Sequence, residues 1–433
     1  MRDERPLRDS LVVGAGIVGL ATAFHLRKDG LRVAVVDRDP EGDKASFGNA
    51  GGIGITEVVP AALPGVFWRV PGWLFDPLGP LALRPSHAPK LIPWLWRFSR
   101  SAAPREVQRI STALAALNLR VYDDLLPMLA ETGLSAELYR KGALSVYETE
   151  TGYQRDRAEW TLKRSLGIET SEISGEEARR MEPALGPIVE RAIFTPQWGH
   201  VTDPKRIVDG LRHWLQANGV EFVRGEVSSI AISGAPSVAL SDGRVLSAGK
   251  VVVAAGAWSG TLARGLGDPV LLESERGYNT TLPTPGVALE REVIFAERKF
   301  TATPLSCGLR IGGAAEFAGL TAPANYRRSR ALVTLARRYL PSLDVSGGTE
   351  WMGHRPATPD GLPVIGPSRR HPHVLYAFGH GHVGLTQAAT TGRLIADLAS
   401  GRPSVVDLSL YSIARFARRG SYVHHRGTED TEI

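Results

Sequence analysis

The sequence lacks most of the features that would tie it to disulfides, metals or membranes. Its 433 residues include one cysteine, Cys307, so neither a disulfide framework nor a cysteine-based metal site can form, and the chain fits a reducing compartment. No apolar run reaches the roughly 18 residues of a membrane-spanning helix, because the apolar stretch 11–26 is interrupted by three glycines. No run of His, Asp or Glu has the spacing of metal ligands.

Strong charge of one sign is also missing. The net charge is +6 and the arginines are scattered, which argues against a nucleic-acid partner. The first ten residues alternate acids and bases, unlike the cationic start of a signal peptide. With 43% hydrophobic and 22% charged residues, the chain is typical of a soluble globular protein of two domains. We expect it in the cytoplasm, with at most peripheral contact with the inner face of a membrane.

What the sequence does have is glycine in patterned places. The stretch 10–39, SLVVGAGIVGLATAFHLRKDGLRVAVVDRD, predicts a strand, a turn, a helix and a second strand. Gly14 would make the tight turn, Gly16 would let the backbone approach a pyrophosphate, and Gly19 would let the helix pack on the strand. Asp37 ends the second strand, where its carboxylate can accept hydrogen bonds from ribose hydroxyls. The pattern predicts a Rossmann-like dinucleotide site but does not distinguish NAD from FAD.

Three further glycine-rich stretches favour a flavin. SFGNAGGIG (46–54) is a small-residue loop able to run along a flat ring, where NAD-only folds usually continue into a helix. KVVVAAGAWSGTLA (250–263) predicts a second strand and turn that close over a nucleotide. VLYAFGHGHVGLTQ (374–387) predicts a strand, a glycine turn and a helix beginning near Leu385, whose N-terminus can face the polar edge of an isoalloxazine.

We therefore predict FAD as the cofactor, held by residues of these stretches and one residue between them. The expected contacts are Gly14, Gly16, Ile17, Val18, Gly19, Asp37, Arg38, Ser46, Asn49, Ala50, Gly51, Val227, Ala255, Gly256, Gly379, Gly381, His382, Val383, Gly384, Leu385 and Thr386.

An ordered set of motifs then resembles a known family. The motifs are GAGIVG (14–19), SFGNAG (46–51), RKGALSVYET (140–149), ERGY (275–278), LRIGGAAEF (309–317), RPATPDGLPVIG (355–366) and FGHGHVGLT (378–386). Together they resemble the FAD-dependent D-amino-acid oxidoreductases, which include glycine oxidase, sarcosine oxidase and the D-amino-acid dehydrogenases that consist of one polypeptide. The SFGNAG and KGALSVYET stretches are most similar to the dehydrogenase branch. RGYNTTLP (276–283) is similar to members acting on D-proline-type imino acids such as cis-4-hydroxy-D-proline.

The resemblance implies a fold, a cofactor mode and a reaction. The fold would be α/β, with a discontinuous Rossmann-like FAD-binding domain (1–60, 198–270 and 350–433) and an α+β substrate domain with a mostly antiparallel sheet (61–197 and 271–349). FAD would be bound without a covalent link, because the surroundings of Cys307 do not match the cysteine site of sarcosine oxidase. The reaction would be oxidative deamination of a D-amino acid by hydride transfer from Cα to flavin N5. A quinone or another respiratory carrier would accept the electrons.

Three side chains are the candidates for substrate contact. Arg355 stands in the proline-rich stretch WMGHRPATPDGLPVIGPS (351–368) and would grip the substrate carboxylate with its bidentate guanidinium. Tyr278 matches a substrate-facing tyrosine of relatives and would add a second hydrogen bond to that carboxylate. His382 would face the substrate amine or the edge of the ring. The alternative for each of the three is a purely structural role in the fold. The sequence assigns no role to His354 or His380.

Other functions fit the same motifs. A sarcosine- or glycine-type amine oxidase using oxygen is one, and a flavin-binding subunit without turnover is another; an NAD-linked hydride transferase is disfavoured by the 46–54 loop. The sequence also predicts a packed loop over 61–96, one long amphipathic helix over 107–125, and a helix capped by Asp203 with Pro204 at its first position. The polar tail after 415 is expected to fray.

Overall fold

The computed structural model describes residues 8–417. Within this range the β-strands, in chain order, are β1 (Arg8–Val13), β2 (Val33–Asp37), β3 (Gly52–Ile53), β4 (Leu81–Leu83), β5 (Leu138–Tyr139), β6 (Ala143–Tyr147), β7 (Ser171–Ser174), β8 (Arg191–Thr195), β9 (Gly199–Val201), β10 (Glu221–Arg224), β11 (Val227–Ser233), β12 (Ala235–Leu240), β13 (Val245–Val253), β14 (Glu273–Leu282), β15 (Glu292–Phe295), β16 (Phe300–Leu305), β17 (Gly308–Phe317), β18 (Thr349–Ala357), β19 (Val364–Pro367) and β20 (Val374–Phe378).

The α-helices of the same range are α1 (Ile17–Lys28), α2 (Val66–Phe75), α3 (Ala88–Ser101), α4 (Pro104–Asn118), α5 (Val121–Glu131), α6 (Glu150–Ser165), α7 (Gly175–Met181), α8 (Pro204–Ala217), α9 (Ser259–Gly265), α10 (Arg327–Tyr339) and α11 (Gly384–Ala399). Short 3-10 helices connect some of them, at Pro85–His87, Ser135–Glu137, Gly256–Trp258, Leu408–Tyr411 and Ile413–Phe416.

The first sheet is built on five parallel strands in the order β10, β2, β1, β13, β20. The apolar runs of β1, β2 and β20 are buried, as expected for strands covered on both faces. The strands β11 and β12 extend the first half of β13 as an antiparallel meander, and β19 pairs antiparallel with β20. The sequence predicts this meander, because strand-like runs at 227–232, 237–240 and 244–246 flank a hairpin-turn sequence, SDGR, at 241–244; the prediction is confirmed.

The second sheet has nine strands and is mostly antiparallel. Its order is β18, β14, β17, β16, β15, β6, β8, β7, with β4 added alongside β17; only β15 with β6 and β17 with β4 run parallel. The helix α10 covers its core, where Leu332, Leu335 and Tyr339 are buried. The predicted fold class, a Rossmann-like sheet beside a mostly antiparallel one, is therefore confirmed.

The parallel sheet collects its strands from three separate parts of the chain, as a discontinuous domain requires. One predicted boundary needs moving, however. The sequence assigns residues from 350 onward to the nucleotide domain, yet β18 pairs along its length with β14 in the second sheet. We propose the same division into two domains, with the last crossing between them after Ala357.

Two helix predictions need correction. The pattern predicted as one helix over 107–125 forms α4 and α5, separated at 119–120. The apolar spacing runs across this break because both helices bury one face in the same core. The stretch 61–96, predicted as loop, holds α2 and α3; internal prolines at 71 and 93 obscure the helical period. The cap of α8 is as predicted, since the Asp203 side chain accepts from Lys205 N at 2.8 Å. Most of the predicted polar tail, 418–433, lies outside the described residues.

Candidate active site

The turn between β1 and α1 has the geometry that its glycines predict. Gly14 has a φ of 112°, and a Cβ added there would lie 2.4 Å from the Ala254 carbonyl oxygen. A Cβ on Gly19 would lie 1.9 Å from the Gly14 carbonyl oxygen, so α1 can approach β1 only because residue 19 has no side chain. At Gly16 the nearest atom to such a Cβ is Ser46 Oγ at 3.7 Å, which leaves room beside the backbone for a ligand.

Some backbone N–H groups at the start of α1 and just before it donate hydrogen bonds within the protein, and others have no acceptor. Ala15 N donates to Asp37 Oδ2 at 2.7 Å, and Ile17 N donates to Ser46 Oγ at 3.1 Å. Within residues 8–417, Val18 N and Gly19 N have no acceptor. Asp37 lies at the end of β2 and is also 3.3 Å from Lys44 Nζ. A helix N-terminus with free N–H groups and its positive dipole end is suited to a pyrophosphate.

A cavity of about 1190 Å³ opens in front of this turn, lined from both sheets. It exceeds the roughly 300–1,000 Å³ that drug-sized ligands use, so a dinucleotide and a small second molecule have space together. Every predicted cofactor contact lines it except Gly19, Gly51 and Gly379. Those three act on backbone shape, because Gly51 and Gly379 have φ values of 94° and 86° and Gly19 closes the helix onto the strand.

The loop at 46–54 is held from the second sheet by contacts that the sequence did not reveal. Arg310 donates from Nη1 to the carbonyl oxygens of Phe47 at 3.0 Å and Asn49 at 2.7 Å. Asn279 Nδ2 donates to the carbonyl oxygen of Gly48 at 2.7 Å. The ring of Trp351 lies where a Cβ on Gly48 would be, 2.1 Å from its nearest atom. The glycine of the SFGNAG motif at 48 is thus required by a tryptophan from β18.

Arg355 lies at the cavity, directly opposite Glu275 in the pairing of β18 with β14. Its Nη1 donates to Glu275 Oε1 at 2.9 Å and to the Ala314 carbonyl oxygen at 2.8 Å, and its Nη2 donates to the Gly313 carbonyl oxygen at 3.3 Å. Ala314 has a φ of 51°, unusual for a residue with a Cβ and costing roughly 1–3 kcal/mol. It stands at a β-bulge between β14 and β17, which aims these carbonyl groups at the guanidinium.

One edge of this guanidinium is left open. Among the described residues, Nε and the second N–H of Nη2 have no hydrogen-bond partner. These two parallel donors form the side of arginine that binds a carboxylate in bidentate fashion. The guanidinium also lies flat over Gly277, where a Cβ would be 2.5 Å from Arg355 Cζ. This open edge is compatible with the carboxylate grip predicted for Arg355.

Tyr278 is placed differently from the prediction. Its side chain belongs to the apolar core beneath the second sheet, and its hydroxyl donates to Glu316 Oε2 and accepts from Asn325 N at 3.0 Å. Burial and the Glu316 hydrogen bond raise the pKa of Tyr278 to about 12. On β14, Gly277 and Asn279 contact Arg355 and the 46–54 loop, while Tyr278 projects to the opposite face. The predicted second hydrogen bond to a substrate carboxylate therefore finds no support in this arrangement.

His382 lies on the cavity wall and pairs with a residue that the sequence did not single out. Its Nε2 is 3.3 Å from Glu57 Oε2. Burial lowers the pKa of His382, but the hydrogen bond to Glu57 and the charges of Glu57 and Glu275 outweigh it and raise the pKa above its usual value. Burial likewise acts to raise the pKa of Glu57, and His382 and Lys163 overcome this and hold it at about 2. These shifts favour the charged form of both side chains, and both line the cavity.

Beyond this pair, part of the cavity wall carries buried charged side chains. Lys163 is buried, with its Nζ 2.8 Å from Glu159 Oε1 and above the ring of Trp160. Glu292 is also buried, accepts from Trp198 Nε1 at 2.8 Å, and would be 2.1 Å from a Cβ on Gly52. Burial raises the pKa of Glu292 to about 7. None of these side chains is in a motif with fixed spacing, so the sequence offered no signal for them.

The residues with open roles fall in distinct places. His354 Nδ1 is 2.7 Å from Ser274 Oγ, and burial lowers the pKa of this histidine to about 4. His380 Nε2 is 2.9 Å from Thr391 Oγ1, and burial lowers its pKa to about 3, so it is neutral. Cys307 is exposed in the turn between β16 and β17 and is not among the residues that line the cavity.

The residues present fit FAD. The free N–H groups of α1, the space beside Gly16 and the carboxylate of Asp37 match the phosphates and ribose. The clamped 46–54 loop and the two glycine turns after β13 and β20, with φ values of 55° at Gly256 and 52° at Gly381, give a wall of backbone without side chains against a flat ring.

Comparison with known proteins agrees with this geometry. Residues 9–398 match the family described as DAO, FAD dependent oxidoreductase. The chain belongs to that family. It is an FAD-dependent oxidoreductase of the kind that acts on amines and amino acids, as the sequence predicted.

Two curated relatives cover nearly the whole chain. A D-amino-acid oxidase of Bradyrhizobium diazoefficiens is 35% identical, over 94% of this chain and 99% of its own length. A D-amino acid dehydrogenase of Sinorhizobium medicae is 31% identical, again over 94% of this chain and 99% of its own length.

Solved structures of the same fold include glycine oxidase from Geobacillus kaustophilus and L-proline dehydrogenase from P. horikoshii. The first has a TM-score of 0.71 and 23% identity, covering 95% of this chain and 99% of its own. The second has a TM-score of 0.72 and 19% identity, covering 95% and 98%. At these identities the structural likeness speaks for the fold alone. Among the described residues of this DAO family member, no helix is long and apolar enough to cross a membrane.

Proposed function

We propose that this DAO family member is a D-amino-acid dehydrogenase whose substrate is anchored by Arg355. The observation that carries the proposal is the open Nε and Nη2 edge of that guanidinium, facing the cavity while its other donors are fixed by Glu275, Gly313 and Ala314. A side chain so restrained holds a carboxylate in one plane, which orients Cα relative to the ring. FAD, when bound, would supply the oxidant for the hydride that leaves Cα.

The amine end of the substrate is assigned to His382 and Glu57. His382 is close enough to Arg355 and Glu275 for both charges to act on it, so a substrate held at Arg355 brings its nitrogen toward this pair. The ionised Glu57 attracts the ammonium form, and loss of the ammonium proton leaves the amine that is oxidised. Since Tyr278 is committed to Glu316, the carboxylate grip falls to Arg355 alone.

For the substrate we propose a D-proline-type imino acid, with cis-4-hydroxy-D-proline ahead of D-proline. A five-membered ring fixes the angle between nitrogen, Cα and carboxylate, which suits a site with one rigid anchor. The resemblance of 276–283 suggests this class of substrate. An unsubstituted ring would need an apolar wall against it. The polar wall formed by Lys163, Glu159 and Glu292 instead favours a substrate with its own polar group, because a hydroxyl there can form hydrogen bonds that an unsubstituted ring cannot.

The electron acceptor is the second open point. We propose a quinone or another respiratory carrier, in line with the dehydrogenases among the relatives. An oxygen-using amine oxidase is the alternative, and the D-amino-acid oxidase at 35% identity favours it. A flavin-binding subunit without turnover is disfavoured, because such a protein has no use for an arginine held open toward the cavity.

The test is to mix the purified yellow protein without oxygen with a panel of D- and L-amino acids and to follow flavin absorbance. We expect bleaching with D-amino acids, fastest with cis-4-hydroxy-D-proline. Faster reduction by D-alanine than by either ring compound would contradict the imino-acid assignment and leave the D-amino-acid assignment standing. Reoxidation of the reduced protein by oxygen and by a soluble quinone then separates oxidase from dehydrogenase.

A further inference from the structure

The segment 66–105 carries an unusual surface. Among the described residues, every exposed tryptophan or phenylalanine lies in it: Trp68 is 90% exposed, Phe75 87% and Trp96 67%. Ile92 is 62% exposed and Leu74 38%. We call these five side chains the aromatic surface. Apolar side chains scattered singly on a surface are ordinary, but a concentration of large aromatic ones marks a site of interaction.

On α3 the aromatic surface lies beside the buried face of an amphipathic helix. Leu91 and Trp94 face inward, packing with Phe317 and Ala357. Ile92 and Trp96 stand four residues apart on the other side, exposed. Large apolar side chains left exposed beside the buried face of a helix mark a surface that a partner covers. On α2, Trp68 and Phe75 are seven residues apart and so share one face.

The charge of this segment indicates what covers it. Residues 66–105 contain six Lys and Arg and a single acid, Asp76, and so account for nearly all of the chain's net +6. Arg84, Lys90, Arg100 and Arg105 are exposed, and within the described residues none of the four has an ion-pair partner. Arg100 follows Trp96 by one helical turn. Exposed aromatic side chains bordered by unpaired basic ones are suited to an anionic lipid surface.

We propose that the aromatic surface docks on the headgroup region of an anionic lipid bilayer. Trp68, Phe75, Ile92 and Trp96 enter the boundary between headgroups and acyl chains, and Lys90 and Arg100 contact the phosphates. The membrane is touched and not crossed, in keeping with the absence of a spanning helix from the described residues.

The contacts of the segment show what docking brings near the membrane. Trp94 Nε1 donates to the Ala357 carbonyl oxygen at 3.1 Å, two residues from Arg355. Ala315 N donates to the Pro80 carbonyl oxygen at 2.7 Å, and Pro80 lines the cavity. The docked surface therefore lies on the strands that form the substrate side of the site. If the dehydrogenase assignment holds, a lipid-dissolved quinone has a short route to the cavity.

The experiment measures binding and uses no turnover, so its result does not depend on the proposed function. The FAD-loaded protein is sedimented with vesicles of phosphatidylcholine, with and without phosphatidylglycerol, at low and high salt. We expect binding to the anionic vesicles, weakened by salt. Trp68→Ala/Phe75→Ala, Ile92→Ala/Trp96→Ala and Lys90→Glu/Arg100→Glu should each lower the partition coefficient at least tenfold.

Matched controls change the same kinds of side chain elsewhere. Leu119→Ala/Val245→Ala removes two other exposed apolar groups, and Arg155→Glu/Arg337→Glu reverses two other exposed charges; both should bind as the unaltered protein does. FAD content and thermal midpoint verify that each variant is folded. Absence of vesicle binding, or equal loss in the controls, overturns the proposal. A fall in molecular mass in solution on mutation of the aromatic surface also overturns it, since the surface is then an interface between copies.

Discussion

Gly277→Ala is expected to disable the carboxylate grip without unfolding the protein. An alanine Cβ at 277 would lie 2.5 Å from Arg355 Cζ and Nη2 and 2.6 Å from Nε. Ordinary carbon contacts are about 3.5–4.0 Å, so the guanidinium must move by about 1–1.5 Å. Gly277 has no left-handed φ, so alanine adds no backbone strain there. The clash falls on the guanidinium and not on the backbone, so a shift of that group relieves it; the disturbed hydrogen bonds to Glu275, Gly313 and Ala314 should lower the free energy of unfolding by about 1 kcal/mol.

Catalysis should be far more sensitive than stability. A misplacement of about 1 Å can lower the rate by about a hundredfold, so we expect kcat/KM to fall roughly 10–100-fold, or about 1.4–2.7 kcal/mol. The assay is flavin reduction without oxygen, using the amino acid that reduces the unaltered protein fastest. FAD content and thermal midpoint should stay near those of the unaltered protein.

Two comparisons make the prediction refutable. Gly265→Ala, where nothing lies within 4 Å of the added Cβ, should leave both activity and stability unchanged. In an Arg355→Ala background, Gly277→Ala should have little further effect, because the two residues act through one contact. A full, additive loss in that background, or normal kcat/KM for Gly277→Ala alone, would refute the assignment of Arg355.

Three other predictions follow from the same geometry. Arg355→Lys keeps the charge but loses the fork, so kcat/KM should fall by roughly 2–4 kcal/mol, whereas Arg337→Lys at the surface should not change it. Acid precipitation should release FAD into the supernatant from both the unaltered protein and Cys307→Ser; a chromophore that stays with the chain contradicts non-covalent binding. Burial raises the pKa of Glu292 from 4.5 to about 7, so the folded state binds this proton more tightly and stability should fall as pH rises from about 4.5 through 7. Glu292→Gln should remove that fall and gain up to about 3 kcal/mol over the unaltered protein at higher pH, as denaturant unfolding at several pH values would show.

The features predicted correctly from the sequence are those set by neighbouring residues. A glycine turn between an apolar strand and a helix needs only local spacing, and the turn at Gly14 has the expected close contacts. The cap of α8 needs only Asp203 and the proline after it. Where local spacing was misleading, as with α4 and α5, two helices bury their faces in a shared core and their periods run together.

The features that the sequence missed join residues far apart along the polypeptide. Arg310 holds the 46–54 loop from 261 and 263 residues away, and Glu57 meets His382 across 325 residues. The sequence around either partner does not distinguish it, because an arginine on a strand or a glutamate after a loop is just as often an ordinary surface residue. Only the pairing of the second sheet against the first brings them together.

The position of the Tyr278 side chain follows from the alternation of side chains along a strand once one contact of that strand is known. From the sequence, 275, 277 and 279 must share one face of a strand and 276 and 278 the other. Which face meets the cavity cannot be decided from polarity, since side chains on both faces of β14 are buried. The pairing of Glu275 with Arg355 decides it: the face that carries the open guanidinium also carries Gly277, and its lack of a side chain leaves the guanidinium room. A tyrosine one residue further on must then project into the core, where Tyr278 binds Glu316. The two side chains predicted to share one carboxylate therefore lie on opposite faces of the same sheet.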